Sequence, residues 1–262
     1  MARRHAWHAG ALNGPAVFKP IRGFTSLQRT PQTDLKLGSV LAFVAGAANA
    51  GGFLAVGQYT SHMTGIVSSV ADHLVLGEFT LALAGIGSVL AFLLGAMTTA
   101  WLVNWGMRRE LRSAYGLPLV LEAVALLVFG LFGAAIGFMT PVFLPLTVVL
   151  LCFIMGLQNA VITKISRATI RTTHVTGLVT DLGIELGKLL YVNRAEEATP
   201  VRANRGRLRV HGQLIICFFV GGLAGALGFK YMGFISTVPL ALMLLLLVMR
   251  PALDDWQRLR PT

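Results

Sequence analysis

Gly46-Ala47-Ala48-Asn49-Ala50, followed by Ser61-His62-Met63-Thr64-Gly65-Ile66-Val67, is answered later in the chain by Gly156-Leu157-Gln158-Asn159-Ala160 and Thr173-His174-Val175-Thr176-Gly177-Leu178-Val179. The same order of small, amide, hydroxyl, imidazole and Thr-Gly residues appears twice, which indicates an internal duplication. In a membrane-embedded chain, paired repeats commonly build one site between them.

The sequence around these blocks is apolar enough for a bilayer. Of its 262 residues 55% are hydrophobic and only 13% charged, against roughly 25% charged in soluble domains, and the mean hydropathy is +0.71. Apolar stretches recur at Leu37 to Val56, Phe79 to Trp105, Leu117 to Phe138, Val142 to Ile162, His211 to Phe229 and Phe234 to Met249. Each can cross a hydrocarbon core roughly 30 Å thick as a helix of about 20 residues, so the expected class is an all-α membrane protein. The net charge of +11 comes from Lys and Arg lying between the apolar stretches. That distribution fixes orientation and suits lipid headgroups, and it argues against a nucleic-acid partner.

Domain organisation follows from the same pattern. Residues 1–36 read as a flexible basic cytoplasmic tail, 37–250 as a single membrane domain (repeat one 37–138, repeat two 142–249), and 251–262 as a second cytoplasmic tail. Arg3-Arg4 precede no apolar run before Leu37, so neither a Sec nor a twin-arginine signal is expected. Cys152 and Cys217 sit inside apolar stretches without metal-ligand spacing and read as small core residues. Ala91 with Gly95, and Gly221 with Gly225, occupy corresponding places in the two halves, where small residues let helices approach closely.

Two shorter, more polar segments carry the duplicated signature: Thr60 to Leu76 and Thr173 to Leu190. Loops rich in Lys and Arg stay cytoplasmic. If both segments cross, giving eight spans in a parallel 4+4 repeat, then Arg108, Arg109, Arg112, Lys164, Arg167, Arg171 and Lys230 all face outward. If both dip in and return on the same side, only Lys230 does. The basic residues therefore favour six transmembrane helices plus two re-entrant half-helix segments, with both termini cytoplasmic. Each repeat then holds an odd number of spans, which makes a 3+3 inverted repeat whose dips approach from opposite faces. About seven extended residues from Gly57 to Thr64 reach roughly 23 Å, enough to bring the first Thr-Gly pair to the midplane.

Non-helical backbone at membrane depth is tolerated only where it is buried in protein or lines a wet cavity. A half-helix starting near Thr64 or Thr176 presents free N–H groups and a positive dipole end, which suits an anion or polar solute; the plainer reading is that the hydroxyls cap the helix. The amides of Asn49 and Asn159 can satisfy broken backbone or hold a neutral ligand. His62 and His174 can relay protons or cap, and two imidazoles are too few to close a metal site, so no metal or other cofactor is expected. Asp181, Glu185 and Lys188 share one helix face, and intramembrane acids are functional candidates by default. Aligning Gly65 with Gly177 sets Ser69 opposite Asp181 and His73 opposite Glu185, so the carboxylates belong to the second copy. Asp72 and Glu122, nearer the ends of their segments, are expected to snorkel. The candidate substrate contacts are Asn49, His62, Thr64, Gly65, Asn159, His174, Thr176 and Gly177, with Asp181 and Glu185 as coupling acids. No nucleophile elbow, P-loop or dinucleotide fingerprint is present, so no catalytic residue is named and no enzyme is expected.

The two blocks, with Ala91-Phe92-Leu93-Leu94-Gly95 between them, resemble the YoaK-like bacterial membrane proteins, a family of unknown function with multi-pass inner-membrane helices. The resemblance covers most of Leu37 to Met249 and implies a bacterial inner-membrane location. In that pattern the first block usually carries an acid where this chain has Asn49, and an asparagine where it has Ile66. The functional expectation from the residues is a small-solute transporter or channel with a midplane site between the repeats. A membrane-embedded scaffold or sensor is the alternative. Expected partners are the lipid bilayer and a small polar or anionic solute, with a homo-oligomer left open.

Overall fold

Apolar runs with few helix breakers wind into eight α-helices among the described residues of the computed structural model, which are 31–135, 140–166, 172–193 and 199–259. They are α1 (Pro31–Val56), α2 (Met63–Val75), α3 (Phe79–Arg108), α4 (Leu117–Ala135), α5 (Thr140–Ile165), α6 (Val175–Leu190), α7 (Arg205–Met232) and α8 (Thr237–Leu259), with a 3-10 turn, Gly233–Ser236, before the last. Two helix starts show favourable end chemistry. Asp34 lies in the first turn of α1, where it meets the positive end of the helix dipole, and the Asn204 side chain accepts from the Arg207 N–H at the start of α7. Helix α1 stops at Gly57, whose φ of 72° is a left-handed conformation that an L side chain rarely adopts.

Two boundaries differ from the sequence expectation. Helix α1 begins at Pro31, inside the presumed tail, and α8 runs on to Leu259, so residues 251–259 are helix. For α8 the reason is polar docking: the Asp255 carboxylate accepts from the Arg112 and Ser113 amides and the Ser113 hydroxyl at 2.6–2.9 Å, and Arg112 also reaches Asp254. The first 30 residues, the end of the third apolar stretch at 136–139, Arg167 and Arg171, and 194–198 lie outside the described residues.

Among the described residues four apolar helical stretches are long enough to cross a membrane: Gln32–Val56, Phe79–Arg108, Pro145–Ile165 and Arg205–Arg258, the last holding both α7 and α8; Leu117–Leu131 is a shorter apolar helix. These are the features of a membrane protein. Leu83, Leu90, Leu94, Trp101 and Leu131 face outward, an apolar surface of the kind lipid covers.

Residue pairings give the helix directions. Ser39 with Gln213, Phe43 with Gly221, Ala47 with Gly225 and Gly51 with Phe229 advance together, so α1 and α7 run parallel. Gly95 with Phe153, Thr99 with Leu157 and Asn104 with Lys164 do the same for α3 and α5. Leu41 with Gln158 and Gly52 with Leu151 run in opposite order, so α1 and α5 are antiparallel, as are α4 and α8 through Gly116 with Val248 and Gly130 with Thr237. Helix α2 returns along α3, with Val70 against Gly85 and His73 against Glu78, and α6 returns along α7, with Asp181 against His211. Consequently α2 points the same way as α1, and the chain must double back over residues 57–62 between them. Helix α6 stands in the same relation to α5.

Four glycines set the closest crossings. A Cβ on Gly46 would fall 2.0 Å from the Phe218 carbonyl oxygen, and one on Gly221 would fall 2.0 Å from that of Phe43. The other half repeats this, with Gly156 against the Phe92 oxygen at 2.0 Å and Gly95 against that of Phe153 at 2.1 Å. Backbone-on-backbone contact of this kind is how apolar helices associate where lipid removes the hydrophobic difference. A core of Leu37, Leu41, Leu126, Ile154, Met155 and Leu244 fills the centre, with the rings of Phe129, Phe229 and Phe234 packed on one another at 5.7–5.9 Å.

Candidate functional site

Each duplicated block builds the same local device. The chain leaves α1, doubles back, and is caught where the Asn49 side-chain oxygen accepts from the Ser61 hydroxyl at 2.9 Å and the Ser61 amide at 3.3 Å. In the second copy the Asn159 oxygen accepts from the Thr173 hydroxyl, and its nitrogen donates to the Met155 carbonyl at 2.9 Å. Asn49 therefore satisfies unwound backbone at the Ser61 amide, the first of the two roles its amide allowed, whereas Asn159 holds the loop through the Thr173 side chain. The preceding threonines, Thr60 and Thr172, are fully buried, and neither hydroxyl has a partner among the described residues.

The half-helices start one residue earlier than the Thr-Gly pairs suggested. His62 and His174 occupy the N-cap positions without a side-chain capping bond, so Thr64 and Thr176 sit inside the first turn and do not cap it. The glycine of each pair makes room for the histidine: a Cβ on Gly65 would lie 2.2 Å from the His62 ring, and one on Gly177 2.3 Å from the His174 ring. The motif thus folds an imidazole over its own first turn, leaving Thr64, Thr176 and both histidines exposed.

The two devices are offset along the bundle. The antiparallel crossing of α1 and α5 is centred near Gly46 and Met155, so Asn49 and Asn159 lie about three to four residues, roughly 5 Å, to opposite sides of it. Ser61 is held at the level of Asn49, about 10 Å below the end of α1, although an extended segment could reach further. Asn49 and Asn159 are accordingly offset along the bundle axis.

A cavity of about 690 Å³ opens beside the first device, lined by His62, Gly65, Ser69 and His73 of the half-helix, by Gly85, Gly87 and Ser88 of α3, and by the stacked rings of Phe53 and Tyr59. The matching glycine contacts align Gly95 with Gly221, and on that register Glu78, Gly85 and Gly87 correspond to Asn204, His211 and Gln213. Two glycines in one half thus stand where the other half has two polar side chains. The lining is mostly apolar with a few polar groups, as small-molecule sites are.

The acids separate into different roles. Both oxygens of Glu185 are engaged, one accepting from Lys188 at 2.9 Å and the other from the Asn204 amide at 2.6 Å, which ties the end of α6 to the start of α7. The Lys188 hydrogen bond, then that of the Asn204 amide, hold its carboxyl below the usual carboxylate range against the opposing effect of burial. Asp181 is exposed, its carboxylate 4.0 Å from the His211 ring; His211 is largely buried, and its other ring nitrogen has no partner. His211 lies 30 residues beyond Asp181 in an ordinary apolar run, so nothing in the sequence linked them. Glu122 corrects the expectation that it snorkels: it is fully buried on α4 with neither oxygen partnered. Gln158, with no amide counterpart in the first copy, donates to the Leu41 carbonyl across the central crossing. Among the described residues no three His, Cys, Asp or Glu side chains gather as a metal site.

No curated protein and no solved structure matches the chain. The resemblance to YoaK-like proteins is consistent with what does match. The model of DUF1275, described as a protein of unknown function, covers residues 37–249, from α1 to α8 and through both copies of the device, and the chain therefore belongs to that family.

Proposed function

We propose that this protein is a small-solute transporter or channel of the bacterial inner membrane, with α1, α3, α4, α5, α7 and α8 as six spans and α2 and α6 as re-entrant half-helices of a 3+3 inverted repeat. The helix directions support this topology, because α2 and α6 each run the same way as the long helix before them. The basic loops support it too: Arg112 meets the end of α8 and Lys164 meets Asn104 near the end of α3, so these basic positions gather at one end of the bundle. Both termini then lie in the cytoplasm.

The observation that carries transport over a purely structural role is the cavity beside the first half-helix. A solute there meets His62, Gly65, Ser69 and His73, with the α2 N-terminus supplying N–H groups and a positive dipole end for a polar or anionic group. On this reading the second device, Asn159, His174, Thr176 and Gly177, serves the opposite mouth, and the Asp181–His211 pair is the exposed titratable element beside it. Glu185 is a clamp and is not retained as a coupling acid. No catalytic chemistry is proposed.

A Cβ at Gly87 would meet open space, so Gly87→Phe fills the cavity without a backbone collision. In nanodiscs, a screen of small anions and neutral polar solutes should find one that raises the melting temperature of the wild type and leaves Gly87→Phe unmoved, with uptake of that solute lost in the variant. Equal uptake by Gly87→Phe would remove the cavity from the pathway. The scaffold or sensor alternative rests on Asn49 and Asn159, whose oxygens are engaged by the chain's own loops; it expects no solute to shift melting at all.

A further inference from the structure

Glu122 stands about one and a half turns into α4, between the contacts that Gly116 makes with Val248 and Gly130 with Thr237. It is 0% exposed, and neither carboxyl oxygen has a hydrogen-bond partner among the described residues. No other residue of α4 is ionisable. The helices packed against α4 offer Arg108 at the end of α3, Cys152 and Lys164 on α5, and Arg250, Asp254, Asp255 and Arg258 towards the end of α8; the 3-10 turn offers none. None of these bonds to Glu122: Lys164 donates to Asn104, and Asp254 and Asp255 hold the Arg112–Ser113 loop. Leu119, Ala123 and Leu126 of the same helix are buried with it in the apolar core. A carboxylate in such a place would be a charge without counter-ion or solvent, whereas the neutral acid loses far less on burial.

We propose that Glu122 is a proton-binding site of the membrane domain, held as the neutral acid in the folded protein and exchanging its proton when the bundle opens to water. In that exchange the carboxyl O–H bond breaks, the proton passes to water, and the carboxylate remains until a proton returns. Proton exchange at this position is the step to which solute movement couples, and that clause alone rests on the transport reading. Asp181, exposed beside His211, is then a surface partner and not the coupling group.

The test uses the full chain in lipid nanodiscs and needs no solute. Infrared spectra at neutral pH should show a protonated-carboxyl carbonyl band that shifts when glutamate is labelled with carbon-13 and disappears in E122Q. On transfer to deuterium oxide the band should shift as O–H becomes O–D. Melting temperatures of wild type and E122Q should agree near pH 4.5 and separate by at least a few degrees as pH rises, E122Q the higher, because only the wild type must keep a proton it would lose when unfolded. Absence of the band in labelled wild type, or a melting difference that does not change with pH, overturns the site. A band that never exchanges in deuterium oxide makes Glu122 a structural acid and overturns the coupling role. If E122Q does not fold, E122D must remove the glutamate-label shift. Because these readouts require no transported solute, failure here leaves the transport proposal standing, and a failure to find uptake leaves the proton site standing.

Discussion

Asn49 engages one atom, its side-chain oxygen, with the Ser61 hydroxyl and amide. An aspartate supplies the same acceptor, so Asn49→Asp should fold and melt like the wild type. Asn49→Leu, which leaves the amide and hydroxyl of Ser61 without that partner, should cost roughly 1–3 kcal/mol. Thermal unfolding in detergent measures both; equal stability of Asn49→Leu and wild type would mean that water holds the loop and the amide does not. The sequence singled out this asparagine and left its role open between backbone and ligand, because an amide offers donors and acceptors for either. For Glu122 it offered a misleading cue: position near the end of an apolar stretch suggests snorkelling, but a side chain reaches water only if its helix face does, and that depends on α5 and α8.

At the scale of elements, stability rests on backbone crossings and on the clamp between α6 and α7. Gly46→Ala puts a methyl 2.0 Å from the Phe218 carbonyl oxygen and should force α1 from α7, lowering the melting temperature by several degrees or abolishing extraction of folded protein. Gly183→Ala, where a Cβ meets open space on α6, should change little. Comparable losses for the two would remove close packing as the explanation. The Glu185 clamp has a pH dependence of fixed sign. A carboxyl held below its ordinary range contributes stability above its unfolded pKa and loses that contribution as pH falls through the folded value. Protease cleavage within the connection from Tyr191 to Asn204 should therefore rise in acid in the wild type and be already high at neutral pH in Glu185→Ala. A flat acid profile in the wild type would contradict the clamp. The small residues that make the crossings were visible as a pattern, with Ala91 and Gly95 placed roughly as Gly221 and Gly225 are, but the helices they join and the register that sets Gly95 against Gly221 were not.

For the whole molecule, the helical class and the core of each helix were legible, because apolar runs of bilayer length leave little else to form. The extension of α8 was not, since Asp254, Asp255 and Arg258 look like a soluble tail until Asp255 is seen holding the loop before α4. A shared midplane site rests on how far an extended segment can reach, which is an upper limit; Asn49 holds Ser61 at its own level on α1. The duplicated blocks do not extend to Gly85 and Gly87, so the glycine-for-side-chain difference from His211 and Gln213 emerges only from the helix contacts. The central claim is that the chain re-enters after α1 and that Glu78 and Arg112 therefore lie on opposite faces, each in a defined one. Reporters active only in the periplasm or only in the cytoplasm, fused after Glu78 and after Arg112, test it most directly. The account predicts periplasmic activity at Glu78 and cytoplasmic activity at Arg112; the reverse pair would make α2 a full span and contradict it.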